Sequence, residues 1–318
     1  MPLLKAEAEK LSNNDLIGGV IEEIIDRDSV FNLLPFVKTT GKAYVYNREV
    51  EMTGNAAGTF VAPSATIAAG AATYDEITTN LRIIAGDVDV DKFLATTMDD
   101  TNDQLATQIG LKAKYVGRTF QDKIINGDSG ATVAGKAAGA TGPEFDGFKK
   151  WADATASQTI AASAANGDAL TQELLDELLD LVPNGADVIF MHSKLIRYYK
   201  ALLRIAGGND GAMLQLENFS RPVLAHSGVP ILANDFIGTT DTKGASSVLS
   251  SIYVARMNEL DGVHGIYGGD NAGMAVESIG TVQDKDSWRY RVKWYAGLAL
   301  KSSKSLARAT EIDTSTYS

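Results

Sequence analysis

The run Lys42-Ala-Tyr-Val-Tyr-Asn-Arg-Glu-Val-Glu-Met52 and its answer Glu76-Ile-Thr-Thr-Asn-Leu-Arg-Ile83 decide how this chain is read. Side chains alternate sides along a strand, so Tyr44, Tyr46, Arg48, Val50 and Met52 share one face and Val45, Asn47, Glu49 and Glu51 the other. In the answering run Ile77, Thr79, Leu81 and Ile83 alternate with Glu76, Thr78, Asn80 and Arg82, and the pattern resumes at Val88 and Val90 between Asp87, Asp89 and Asp91. Residues 53–74 separate the two runs and carry no charge. Eight Ala, three Gly and four Thr fill 15 of those 22 positions, which leaves too few large side chains to build a core. The segment is also too long for an ordinary hairpin turn. A two-stranded arm that projects from the body and packs on another molecule is expected; a surface loop is the plainer alternative.

Upstream, residues 15–34 place Leu16, Val20, Ile21, Ile24, Ile25 and Leu33 at partly helical spacing opposite Glu22, Glu23, Asp26 and Asp28, which predicts a short amphipathic helix ended by Pro35. Downstream, Leu105, Ile109, Val116, Phe120 and Ile124 form the stripe of one long helix over 98–126. Asp99, Asp100 and Asp103 at its start and Lys112, Lys114, Arg118 and Lys123 in its second half suit the helix dipole, and Gly127 suits a left-handed cap. The Gly/Ala stretch 127–143 reads as a boundary between units.

Beyond it helix and strand signals mix. Thr171 caps a predicted helix with Leu174, Leu175, Leu178, Leu179 and Val182 on one face and Pro183 as its stop. Residues 187–191 read as a buried strand, and Ser193 opens a helix through Ile205, ended by Gly207 and Gly208. Further strands are expected at 229–232, 251–256, 274–279 and 288–300. This half is α+β, helices packed on a mixed sheet.

With 318 residues, 45% apolar and 22% charged, the chain can bury a sizeable core, and two packed units are expected. Lys plus Arg number 29 against 40 for Asp plus Glu, a net charge of −11 that argues against a dedicated DNA-wrapping protein. There is no cysteine, which removes disulfides, thiolate zinc sites, iron–sulfur clusters and cysteine nucleophiles together. The first ten residues carry Lys5, Glu7, Glu9 and Lys10 and lack the apolar core of a signal peptide. The longest uncharged stretch, 52–74, is Ala, Gly and Thr, so no membrane span is expected.

Apparent catalytic motifs fail on inspection. Gly130-Ala-Thr-Val-Ala-Gly-Lys-Ala137 follows a helix instead of a strand and ends in Ala where a phosphate loop needs a hydroxyl. Gly127-Asp-Ser-Gly130 echoes the nucleophile loop of trypsin-like proteases, but His192, His226 and His264 all follow the serine, and a turn is expected. Asp87, Asp89 and Asp91 lack the glycine and bidentate glutamate of a calcium loop, and a solvated face or pairing with basic residues is expected. The histidines have no ligand spacing, and the glycine-rich 265–273 reads as a loop. No catalytic, cofactor or metal residue is assigned, and no enzymatic activity is expected. Two basic clusters remain: Lys194, Arg197, Lys200 and Arg204 on one helical face, and the run 285–308. Such segregation in an acidic chain suggests contact with acidic surfaces, on sister subunits or on a polyanion, with an ordinary solvated face as the alternative for the first. The run 285–308 is expected to meet acidic stretches such as 22–28 or 87–91 on the same or an adjacent subunit.

The order of parts resembles the major capsid proteins of tailed bacteriophages, the HK97 fold. The resemblance spans nearly the whole chain and is carried by the loop 42–91, the helix 98–126, Gly228-Val-Pro-Ile-Leu-Ala-Asn-Asp235 and Trp288-Arg-Tyr-Arg-Val-Lys-Trp-Tyr-Ala-Gly-Leu-Ala-Leu-Lys301. It implies an N-terminal arm (1–36), an extended β-hairpin E-loop (37–92), a P-domain with a long spine helix (93–142), an α+β A-domain (143–272) and returning P-domain strands with the C-terminus (273–318). The function implied is an icosahedral shell of hexamers and pentamers that assembles in the bacterial cytoplasm and encloses double-stranded DNA in the virion. Implied partners are a portal, decoration proteins and, if Met1 is the encoded start, a separate scaffolding protein, with only weak non-specific contact to DNA and none to membrane. Some members crosslink through a lysine on the extended loop; residues 43–91 contain none, so that reaction is not carried over. An encapsulin-type compartment shares the fold, and an α/β enzyme with an unrecognised site is the alternative of another class.

Overall fold

The computed structural model describes residues 30–53, 60–66, 71–97, 104–130, 142–205, 213–214, 223–269 and 273–314. In chain order its elements are α1 (Val30–Leu33), β1 (Phe36–Lys38), β2 (Ala43–Thr53), β3 (Ala71–Asn80), β4 (Arg82–Asp91), α2 (Lys92–Thr97), α3 (Gln104–Asn126), α4 (Phe148–Ala154), β5 (Thr159–Ala161), α5 (Gln172–Asp180), β6 (Val188–Met191), α6 (Ser193–Ile205), β7 (Met213–Leu214), β8 (Val223–His226), β9 (Val229–Ala233), β10 (Asp241–Lys243), β11 (Ser246–Ala255), β12 (Val263–Tyr267), β13 (Ala275–Thr281), β14 (Ser287–Leu300) and β15 (Leu306–Asp313). They form an α+β fold with a five-stranded sheet, an eight-stranded sheet and the separate hairpin β2–β3.

β14 is the axis of the five-stranded sheet. One edge pairs with β4 from Ser287↔Asp91 to Ala296↔Arg82. The other edge is shared end to end by β13, against Trp288 to Lys293, and β12, against Ala296 to Leu300. β1 then lies parallel to β12, with Phe36 opposite Gly265. That glycine is required by space: a Cβ there would stand 2.4 Å from the Phe36 ring. Strand alternation sends Val88, Val90, Val292 and Trp294 to the inside, where α3 presents Val116, Phe120 and Ile124, all buried. Phe120 and Trp294 meet at 4.5 Å between ring centroids, and Phe31, Phe36 and Phe145 close around them.

The outer face of the same strands carries charge. Arg289 clamps Asp89 through two hydrogen bonds of 2.6 and 2.7 Å, and Arg291 clamps Asp87 at 2.6 and 2.9 Å. Lys293 reaches Glu277 of β13 at 2.6 Å. The basic run thus meets the acidic strand within one chain, as opposite charges in directly facing registers should. Asp91, third of that series, caps α2 by accepting from the Phe93 and Leu94 amides at 2.9 and 3.3 Å.

The eight-stranded sheet runs β5-β15-β11-β6-β9-β8-β7, with β10 on β11. It is buried on both sides, which is why β6 reads as an unbroken apolar run. Val188, Phe190, Tyr253 and Ala255 join the core formed by α3, α4 and the first sheet. Ile189, Met191, Ile252 and Val254 face a second core with Leu175 and Leu178 of α5 and Leu195, Tyr198 and Tyr199 of α6. Thr171 caps α5 by accepting from the Leu174 amide at 3.1 Å.

Several expectations need correction. Of the helix expected over 15–34 only Val30–Leu33 is described, and it is helical; the rest, with Asp99, Asp100 and Asp103, lies outside the described residues. The long helix is described from Gln104, and a separate short helix, α2, precedes it. Gly127 is not left-handed; it is there because a Cβ would stand 2.4 Å from the Phe145 carbonyl and 2.5 Å from that of Lys123. Residues 263–267, partly read as loop, form β12 between β1 and β14. β4, grouped with the arm by its alternation, leaves β3 at Leu81 and joins the first sheet, whereas the unanticipated β15 enters the second.

Two outcomes are expected of this core and ladder. Phe120→Ala should cost about 3–5 kcal/mol in denaturant unfolding, and Phe31→Ala less, because Phe31 is 38% exposed. Arg289→Glu should lower the melting temperature by setting two anions face to face, and Asp89→Arg in the same chain should restore it. The Arg partners hold the Asp87 and Asp89 carboxyls below the usual 3.8, so the stability they add is present above that pH and lost as acid is added below it.

Candidate functional site

The hairpin β2–β3 belongs to neither of the two larger sheets. β2 and β3 pair from Ala43↔Asn80 to Thr53↔Ala71, with a bulge between Glu49 and Glu51. Along it Val45, Val50 and Tyr74 stand exposed, and at its far end Phe60 is wholly exposed and Val61 45%. An isolated two-stranded ribbon is marginal in water, so its root must be held. Leu81 closes the base by donating its amide to the Lys42 carbonyl at 3.0 Å. Tyr46 donates its hydroxyl to the Leu300 carbonyl at 2.5 Å, and Arg48 donates to the Leu300 and Lys301 carbonyls at 3.0 and 2.8 Å. The arm is therefore pinned to the end of β14 by the polar members of its half-buried face. Sequence reading placed Tyr46 and Arg48 on one face but not their acceptors; the available signal was a cation on the aromatic side of a strand.

Tyr44 packs edge-on against His264 of β12 at 5.5 Å, and Lys301 lies over the Tyr44 ring. His264 is completely buried, and neither ring nitrogen has a hydrogen-bond partner among the described residues. Burial pushes its pKa below the ordinary 6.5, and Lys301 pushes the same way; the Gly262 backbone, which favours the charged ring, does not reach hydrogen-bonding geometry. Burial of Tyr46 raises its hydroxyl pKa, so it stays a donor.

Between the root of the hairpin, β14 and α4 lies a cleft of about 340 Å³, lined among others by Arg48, Arg82, Asp146 and Trp151. Asp146 is occupied in accepting from the Ser129 amide at 2.8 Å, within the turn expected at 127–130. The phosphate-loop-like residues from 131 onward lie outside the described residues. His192 and Asp235 stand 3.9 Å apart, but Ser193 donates to the aspartate and not to the imidazole, so the three do not form a serine–histidine–aspartate relay. His226 joins Tyr199 to Asp176, at 2.8 Å on each side, and burial raises the Tyr199 pKa instead of activating it. Among the described residues no group of three or more acidic or histidine side chains could hold a metal, and no helix is long and apolar enough to cross a membrane. Lys194, Arg197, Lys200 and Arg204 are all exposed on α6.

Because His264 is neutral when folded and charges more readily when unfolded, the stability it lends is full above pH 6.5 and falls as pH drops below it. His264→Phe, which keeps a ring against Tyr44, should flatten the fall in melting temperature between about pH 6.5 and 5, leaving the share of His192, whose pKa burial also lowers.

No protein-family model and no curated protein matches the chain. Solved structures do. An encapsulin, SrpI of Synechococcus elongatus PCC 7942, is 19% identical at a TM-score of 0.73, with 100% of this chain and 99% of that one covered. The capsid of a native GTA particle is 16% identical at 0.62, covering 96% and 97%, and a structure from Microbacterium phage Oxtober96 is 14% identical at 0.58, covering 98% and 99%. From end to end, with its pinned hairpin, long helix and two sheets, the chain has the architecture shared by phage capsid proteins and encapsulins, the HK97 fold.

Proposed function

We propose that this chain is the structural subunit of a closed icosahedral shell, a tailed-phage major capsid protein that forms pentamers and hexamers of itself around double-stranded DNA. The observation that carries the reading is the hairpin. Val45, Val50, Phe60, Val61 and Tyr74 stand exposed on an arm that cannot cover them itself, on a fold shared with shell proteins. Laying that arm on the next subunit removes apolar surface from water at roughly 25 cal/mol per Å² and repeats the gain around the shell, where weak contacts sum. A net charge of −11 suits a wall that does not grip packaged DNA.

The reading divides the chain into an arm (1–36), an extended loop (37–92) whose projecting part is β2–β3, a P-domain with the spine helix (93–142), an A-domain (143–272) and returning strands (273–318). Scaffolding, portal and decoration proteins are its partners, the virion its destination and the bacterial cytoplasm its place of assembly. The subunit works by assembling and catalyses no reaction. A cargo-holding encapsulin is the second reading, supported by the SrpI match over the full chain.

Expressed and concentrated with a scaffolding protein where one is needed, the protein should form hollow closed particles by electron microscopy and sedimentation. Deleting residues 54–70 should leave a folded subunit that does not assemble. Monomers or dimers alone from the intact protein would overturn the reading, and nucleic acid or protein inside the particles decides between phage capsid and encapsulin.

A further inference from the structure

α5 and α6 pack on the same face of the eight-stranded sheet, α5 over β15 and α6 over β9, and segregate their charges completely. α5 buries Leu175 and Leu178 and exposes Glu173, Asp176, Glu177 and Asp180. α6 buries Leu195, Tyr198 and Tyr199 and exposes Lys194, Arg197, Lys200 and Arg204. Elsewhere cations sit on carboxylates: Arg289 on Asp89, Arg291 on Asp87, Lys243 on Glu311, Arg256 on Asp261, Arg308 on Asp153. The two helices come close enough for His226 to bond both Tyr199 and Asp176, yet no ion pair joins them among the described residues.

The arrangement works against each helix alone. Like charges three and four residues apart repel, as Glu173 with Glu177 and Lys200 with Arg204 do. Asp180 stands in the last turn of α5 and Lys194 in the first turn of α6, the ends where the helix dipole disfavours them, which offsets the favourable placing of Glu173 and Arg204 at the opposite ends. A surface of opposite sign relieves all of this at once. We propose that the acidic face of α5 and the basic face of α6 are the two halves of a head-to-tail contact between copies of this chain, a proposal that rests on the shell reading above.

Spacing sets the alignment. Glu173, Glu177 and Asp180 are separated by 4 and 3 residues, and Arg204, Lys200 and Arg197, taken backwards, by 4 and 3. Each stripe spans about 10 Å at 1.5 Å per residue. Antiparallel helices therefore bring Glu173 to Arg204, Glu177 to Lys200 and Asp180 to Arg197, and their dipoles oppose favourably. A polyanion fits less well, because the neighbouring acidic helix repels it. Two different, complementary patches on one subunit are what a heterologous ring contact requires.

The test compares the intact protein with Glu173→Lys/Glu177→Lys, with Lys200→Glu/Arg204→Glu, and with the chain carrying all four changes. Circular dichroism and melting check that each folds. At low salt each two-site variant should need about tenfold more protein to assemble, while the four-site variant should assemble like the intact protein. Added salt should move the intact protein toward the two-site variants. Normal assembly of either two-site variant, or failure of the four-site chain, overturns the contact. Normal shells of Lys200→Glu/Arg204→Glu that lose copurifying nucleic acid assign the basic face to a polyanion and overturn it too. If the intact protein forms no particles, the shell reading itself fails, before any variant is compared.

Discussion

Half of this fold hangs from β14, and what β14 can do follows from its length and its alternation. Fourteen residues give it room for one full-length neighbour, β4, and for two shorter ones end to end on its other edge, β13 and β12. Its inward side chains, Val292 and Trp294, meet the long helix, and its outward ones, Arg289, Arg291 and Lys293, are neutralised by the strands beside them. Its last carbonyls, left over where the sheet ends, hold the root of the hairpin through Tyr46 and Arg48. One strand thus serves as core, charge ladder and mooring. A shift of one register would put Trp294 in water and the arginines against Phe120, which ties the three roles together.

What could be read from the residues follows from the range of the forces involved. The alternation along β2 and β14 and the stripes of Val116, Phe120 and Ile124 or of Leu175 and Leu178 are local consequences of backbone geometry, and they were legible together with the Thr171 cap. β12 was only half legible, because Gly265 is a glycine to admit the Phe36 ring from a strand 229 residues earlier in the chain. β4 was legible as a strand but not as part of the first sheet, since alternation fixes a face and not a partner. Gly127 was legible as a stop, yet the constraint on it comes as much from the Phe145 carbonyl 18 residues away as from that of Lys123 in the preceding turn. At the candidate site the arm itself was visible as a core-less stretch. Its mooring was not, since a strand pattern cannot name a carbonyl more than 250 residues distant.

Charge is distributed by two different rules in this molecule. On the first sheet, carboxylates and cations face each other across adjacent strands, so their fields close within the subunit and leave little to steer a partner. On α5 and α6 they are kept apart, four exposed of each sign, so the fields remain open. Paired charges fix strand register; unpaired ones are worth their self-repulsion only when something outside answers them. Salt therefore acts on the two regions differently: it screens the exposed helices and hardly touches Asp89, whose side chain is 9% exposed under Arg289.

The hairpin raises the opposite difficulty, since a two-stranded ribbon presents two unpaired edges and invites pairing with any other strand. Asn47, Glu49 and Glu76 lie on the exposed side of this ribbon, and the bulge after Glu49 breaks the flatness that edge-to-edge stacking needs. Polar flanks with an apolar tip direct such an arm to lie flat on a shaped surface instead of extending a neighbour's sheet. The root obeys the same logic. It is held by three hydrogen bonds to carbonyls and by the packing of Tyr44 on the buried His264 ring, strong enough to aim the arm and too sparse to cover it. Apolar side chains that the chain aims but cannot bury acquire their stability only where another subunit supplies the missing face.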